Sequence, residues 1–220
     1  MKDTQLSKKS TEETLRSIAS QAAEKIGKKV AKKIGEIHTF NYKSSTTDLV
    51  TEIDKWSEKR ITEYVNSRRG DDEIICEEGT YMQGKTNIRW YIDPIDGTTN
   101  FVYGHPGFSI SVGVEIDNET KVGAIYVPLL NELFSASSVH GTTRNGKIVE
   151  VSKTKDLSKA LVATGFSYKS EFRAVQAKNL VGIHPLPQSC LCSLLVSLTC
   201  TMNSLLSASV TENCNLPDFG

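Results

Sequence analysis

The chain has 220 residues, enough for one large domain or two small ones around a substantial core. Hydrophobic residues make up 38% and charged residues 24%, as in an ordinary globular protein. Lys plus Arg and Asp plus Glu each total 26, so net charge gives no argument for binding nucleic acid or an anionic membrane surface.

Residues 1–9 lack the apolar stretch of a secretory signal, so a cytoplasmic setting with reduced thiols is expected. Leu15, Ile18, Ala19, Ala22, Ala23, Ile26, Val30, Ile34 and Ile37 recur at three- and four-residue steps, the stripe of a long helix. Ser10 and Glu13 have the spacing of a capping box at its start. Ile53, Trp56, Ile61, Tyr64 and Val65 predict a second helix ending near Gly70. Strands are expected at residues 73–78 and 88–93. Residues 109–116 and 121–127, joined through Asp117-Asn118-Glu119-Thr120, predict an antiparallel hairpin. Within that turn Asn118-Glu119-Thr120 has the form of a glycosylation sequon, which without a secretory route reads as a turn only. Further strands are expected at 132–138, 147–151 and 160–164, with Arg144-Asn145-Gly146 as a tight turn and a helix over 170–180. Helices followed by mostly antiparallel strands predict an α+β layered domain.

After about His184 the composition changes. Residues 186–220 contain no Lys or Arg and only the acids Glu212 and Asp218. The 21 uncharged residues from Cys190 to Val210 have the length of a membrane span. Eight of them are Ser, Thr or Asn and no basic flank anchors either end, so a span is not expected. The segment has no clear period, and a non-homologous ending is the expectation. Four of the five cysteines, Cys190, Cys192, Cys200 and Cys214, lie in it, with Cys76 alone in the body. An odd, clustered count fits thiols better than a disulfide framework, and no Cys-x-x-Cys or His spacing suggests zinc.

The chemistry concentrates in Asp93-Pro94-Ile95-Asp96-Gly97-Thr98-Thr99. Magnesium takes hard oxygen ligands, few of them from protein. Asp93 stands at a strand end, Pro94 is expected to stop the strand from continuing as a central ladder element, and Asp96 follows where the chain has turned. Ile95 can offer its carbonyl. Gly97 permits close backbone approach, and Gly97-Thr98-Thr99 is expected to open a helix whose N–H groups favour phosphate. A surface turn is the other reading of a bare Asp-x-x-Asp-Gly. The pair Glu77-Glu78, closing an upstream strand, is costly to hold without a cation or solvent and favours a metal cluster.

Residues 43–184 resemble the inositol monophosphatases, within the lithium-sensitive Mg²⁺-dependent phosphatases. The matching motifs are Lys43-Ser44-Ser45, Asp48-Leu49-Val50-Thr51 with Asp54, Glu77-Glu78, and Trp90-Tyr91-Ile92-Asp93-Pro94-Ile95-Asp96-Gly97-Thr98-Thr99-Asn100-Phe101. Gly123-Ala124-Ile125-Tyr126-Val127-Pro128, Glu132-Leu133-Phe134, Gly141 and Arg144-Asn145-Gly146 continue the likeness. The resemblance implies a first Mg²⁺ on Glu77, Asp93 and the Ile95 carbonyl, with the Thr98 hydroxyl nearby. A second would be shared by Asp93 and Asp96, and a third, weaker one would sit near Glu77. Thr98 and Asp54 would orient and deprotonate the attacking water, and the amides of Gly97 and Thr98 would hold phosphate. Lys43 resembles a family lysine near the entrance; a solvated lysine is the other reading. His38, His105, His140 and His184 have no part in this chemistry, and Trp56 and Trp90 read as packing residues.

The implied fold is a layered α/β sandwich of the sugar-phosphatase type with its second α/β domain largely missing. Residues 1–151 would form the metal-binding domain, 152–185 the start of the second, and 186–220 a non-family tail. The implied activity is hydrolysis of inositol monophosphate, a small phosphate monoester, by a homodimer. A bisphosphate nucleotidase or fructose-bisphosphatase is a further enzyme reading, against which the long central match leans. The family's Trp-Asp-x-x-Ala motif is absent after His184, and Asp218 has no preceding Trp. The alternative is therefore a catalytically deficient product lacking that metal-ligand Asp.

Overall fold

The structure, a computed structural model, describes residues 2–36, 40–42, 49–164, 170–183 and 189–192. Lys43, Ser44, Ser45 and Asp48, with His38 and His184, lie outside the described residues, as does most of the uncharged segment after residue 189. In chain order come helix α1 (Lys2–Val30), strands β1 (Phe40–Tyr42) and β2 (Leu49–Thr51), and helix α2 (Glu52–Asn66). Strands β3 (Glu73–Cys76), β4 (Tyr81–Met82) and β5 (Ile88–Asp96) precede the short helix α3 (Thr98–Val102). Strands β6 (Ser109–Ile116), β7 (Glu119–Val127), β8 (Glu132–Ser137), β9 (Gly141–Arg144) and β10 (Lys147–Ile148) complete the main sheet. Strand β11 (Leu161–Thr164), helix α4 (Ser170–Ile183) and strand β12 (Ser189–Cys192) follow, with β11 and β12 paired in parallel.

The main sheet has eight strands in the order β10-β9-β8-β7-β6-β5-β3-β4. Every neighbouring pair in it is antiparallel except β3 with β5. The α+β layered expectation therefore holds. The turn at Asp117-Asn118 is tighter than the sequence suggested, and the tight turn expected at Arg144-Asn145-Gly146 is found. Asp117 and Asn118 have φ of 56° and 63°, and Asn145 and Gly146 have φ of 50° and 77°. These are two-residue hairpin connections of the kind whose twist matches that of the flanking strands.

The helices cover one face of the sheet, α1 across β6, β7 and β8 and α2 against β5. Leu15, Ile18, Ala19, Ala22, Ala23, Ile26 and Val30 are buried, as their period predicts. Small residues let α1 lie close: a Cβ on Gly27 would come within 2.6 Å of the Tyr126 ring. The helix does not begin at Ser10, since it already runs from Lys2, so the Ser10–Glu13 spacing marks no N-terminus. The buried stripe that packs on the sheet begins further along, with Glu12 and Leu15. The capping box belongs instead to α2, where Thr51 and Asp54 bond reciprocally.

Strand β5 alternates cleanly. Ile88, Trp90 and Ile92 are buried. Arg89 and Tyr91 are on the other face, where Arg89 Nε lies 2.7 Å from Glu73 and the Tyr91 hydroxyl donates to Glu115 at 3.0 Å. Trp90 is a packing residue, and its indole N–H is satisfied by the buried Asp72 at 3.0 Å. Asp72 is held in turn by Arg69 at 2.7 Å. Pro94 interrupts the ladder as expected, although β5 itself continues to Asp96. On the β6 side the register slips between Asp93 and Asp96, and on the β3 side pairing stops at Ile92, so no ladder needs the missing proline N–H.

Two neighbours on β5 thus face opposite ways and should differ sharply in cost. Trp90→Ala is expected to lower unfolding free energy by about 3–5 kcal/mol. Tyr91→Ala, on the exposed face, should cost under about 1 kcal/mol. Urea denaturation of the two variants measures both.

Candidate active site

The parallel pairing of β3 with β5 sends both chains out at the same sheet edge. Cys76 is level with Ile92, and the amide of Glu77 donates to the Ile92 carbonyl at 3.0 Å. Glu77 therefore leaves its strand beside Asp93. Crevices outside the carboxyl ends of parallel strands are the usual binding position in α/β folds. Cys76 itself is a buried thiol whose pKa burial pushes up to about 11, so it offers no thiolate at neutral pH.

Beyond Asp93 the bulged chain turns through Ile95 and Asp96, both buried, and reaches Gly97. Gly97 has φ of +87° and caps α3, a left-handed conformation that a side chain would strain. The turn delivers Thr98 to a precise place: its Oγ1 lies 2.9 Å from Asp54 Oδ1 and 3.1 Å from the Ile95 carbonyl. A hydroxyl has a single proton, and a carboxylate is the stronger acceptor, so the proton is directed at Asp54. Asp54 is fully buried at the first turn of α2, and its Oδ2 receives the Thr51 amide at 2.8 Å and the Thr51 hydroxyl. Ser109 donates to Asp96 Oδ2 at 3.4 Å. Oδ1 of Asp93 is buried and accepts no hydrogen bond among the described residues, although Asp93 as a residue is engaged elsewhere.

The structure thus joins Asp54, Thr98 and Ile95 directly and sets Glu77 and Asp93 on adjacent strand ends. It does not draw the carboxylates into a closed cluster: among the described residues no group of three His, Cys, Asp or Glu side chains is arranged to hold a metal ion. Glu77 is exposed. His105 accepts the Gly107 amide at 3.1 Å, and His140 lies 3.3 Å from Glu13, so both have structural partners away from this turn.

The sequence pattern of the Inositol monophosphatase family matches residues 11–210. The chain belongs to this family. The match continues past residue 185, where the composition changes. Nus factor SuhB of Pasteurella multocida is 41% identical over 156 residues, which are 69% of this chain and 58% of that protein, so the chain spans less than two thirds of the length of this relative. Among solved structures of the family, extragenic suppressor protein suhB of Bartonella henselae is similar with a TM-score of 0.77 and 26% identity, covering 83% of this chain and 70% of that one. The IMPase of Thermotoga maritima gives a TM-score of 0.74 and 29% identity, covering 86% and 70%.

The sequence pattern missed part of the buried face of α2. Ile53, Trp56 and Tyr64 are only partly buried, whereas Asp54, Ser57, Glu58, Ile61, Thr62 and Val65 are buried. The signal was present: stepping back from Val65 and Ile61 by three and four residues lands on Glu58, Ser57 and Asp54. Ser57 donates to the Pro94 carbonyl at 3.0 Å, and Glu58 accepts the amides of Glu78 and Thr80.

Thr51 holds Asp54 Oδ2 with both its amide and its hydroxyl while capping the helix. Thr51→Ala is expected to destabilise the chain by about 1–2 kcal/mol in urea denaturation.

Proposed function

We propose that the chain carries the metal-binding part of an Mg²⁺-dependent phosphomonoesterase acting on inositol monophosphate. The observation that supports it best is the Thr98 hydroxyl set between the Asp54 carboxylate and the Ile95 carbonyl, at the sheet edge where Asp93 and Glu77 emerge.

The donor set fits a hard cation. Glu77, Asp93 and Asp96 offer carboxylate oxygens and Ile95 a carbonyl, with no thiolate or imidazole among them. Glu77 and Asp93 stand on neighbouring strand ends, so both could supply oxygens to one ion. Bound there, Mg²⁺ would supply charge neutralisation on the phosphate and acidify the attacking water.

The chain's own residues do the rest. With its proton directed at Asp54, Thr98 Oγ1 keeps lone pairs to accept a proton from water, and Asp54 can take the threonine proton in turn. Thr51 holds Asp54 in the orientation that this relay needs. The amides of Gly97 and Thr98, at the first turn of α3, would hold phosphate oxygens. Lys43 would stand near the entrance. Phosphoryl transfer asks for positioning and charge stabilisation and needs no covalent nucleophile. A cytoplasmic homodimer sensitive to lithium completes the reading.

A second reading is favoured by the name Nus factor, which the Pasteurella multocida relative carries. In it the chain works by binding another molecule and turns over substrate poorly or not at all.

Phosphate release from inositol monophosphate separates the two. Turnover that requires Mg²⁺ and falls about 100-fold or more in Asp93→Asn supports the hydrolase. Release that survives chelation of the metal, or that Asp93→Asn leaves unchanged, overturns it.

A further inference from the structure

Helix α2 places polar side chains where its own period calls for core. Asp54, Ser57 and Glu58 are 0%, 0% and 3% exposed. Their spacing of three and four residues puts them on one helix face, directly preceding the buried Ile61 and Val65. Each reaches a different part of the site. Asp54 takes the Thr98 hydroxyl, Ser57 donates to the Pro94 carbonyl at 3.0 Å, and Glu58 reaches the turn that follows Glu77.

The Glu58 contact is bidentate to backbone. Its Oε2 accepts the Glu78 amide at 2.8 Å and its Oε1 accepts the Thr80 amide at 3.1 Å. These amides flank Gly79, whose φ is +103°, in the turn joining β3 to β4. A carboxylate suits this task because both of its oxygens accept. A glutamine in its place would turn an NH₂ toward one of the two N–H donors. Burying a carboxylate against neutral donors is costly, and a turn that merely had to close could be built without one.

We propose that Glu58 and Ser57 are positioning residues that fix the separation between Glu77 and the turn at residues 93–96. One rigid helix face thereby holds both loops that supply oxygens to the cation. Ser57 anchors the carbonyl between Asp93 and Ile95. Glu58 anchors the two amides just beyond Glu77 and so limits where the Glu77 carboxylate can swing. The inference rests on the metal reading of the site given above.

The test is Mn²⁺ binding, followed by electron paramagnetic resonance on the purified full chain, with Mn²⁺ standing in for Mg²⁺. Glu58→Gln is expected to weaken Mn²⁺ binding about tenfold while the circular dichroism spectrum is unchanged. If Glu58 acts through Glu77, the Glu58→Gln/Glu77→Gln double variant binds no more weakly than Glu77→Gln alone. A residue that merely stabilised the fold would leave Mn²⁺ affinity of the folded variant unchanged, or would add its full effect in the double variant. Either result overturns the proposal. Ser57→Ala removes a single hydroxyl and carries the test if Glu58→Gln does not fold: weaker Mn²⁺ binding supports the proposal, and equal binding overturns it. Absence of Mn²⁺ binding by the unsubstituted chain overturns the metal reading and this inference together. Binding that Glu58→Gln and Ser57→Ala leave untouched overturns the inference alone.

Discussion

The parallel pairing of β3 with β5 is the constraint on which the site depends. In a sheet whose other neighbours run antiparallel, this pair lets two strands end at one edge. The amide of Glu77 closes the last rung on Ile92, so the next side chains along both strands are Glu77 and Asp93. An antiparallel β3 would carry Glu77 to the far end of β5, next to Ile88 and away from the bulge. The connection between the two strands is short for a parallel crossover, and β4 lies within it as an outer edge strand. Gly84 makes that path possible, since a Cβ there would come within 2.2 Å of the Glu73 amide nitrogen.

Helix α2 is the second determinant, and its two halves do different work. Ile61 and Val65 bury apolar surface against the sheet, while Asp54, Ser57 and Glu58 continue the same stripe with groups that hold loops. Apolar packing is nondirectional and tolerant, whereas hydrogen bonds fix distance and angle. The apolar half therefore secures the helix to the sheet, and the polar half places the turns relative to it.

Much of this was legible in the sequence, for identifiable reasons. The α1 stripe, the alternation of β5 and the Asn145-Gly146 turn follow from periodicity and positive-φ preferences, which are local properties. The run from Asp93 to Thr98 was legible because its residue types are unusual at a strand end. Three features were hidden. Pro94 sits inside β5 because a bulge on one side and the end of pairing on the other make its missing N–H harmless, and both depend on neighbouring strands. Helix α1 runs from Lys2, ahead of the Ser10–Glu13 spacing that looked like its cap. Glu58 and Ser57 were passed over because polar residues on a helix ordinarily face solvent.

Buried carboxylates remain the most informative expense in the molecule. Asp54, Glu58 and Asp96 are all 6% exposed or less, and the donors to them include Thr51, Thr98, Ser109 and the amides of Glu78 and Thr80. Neutral donors offset only part of the cost of removing an ionised carboxylate from water. A chain selected for stability alone would gain by filling these positions with apolar groups of similar volume. Glu12 and Asp72 are buried elsewhere, so burial alone marks no site, but Asp54, Glu58 and Asp96 act on turns at one sheet edge, where on the proposed reading a bound cation would offset part of the remaining cost. Thr98 fits the same pattern: its proton goes to the buried Asp54, and its oxygen keeps lone pairs beside the Ile95 carbonyl.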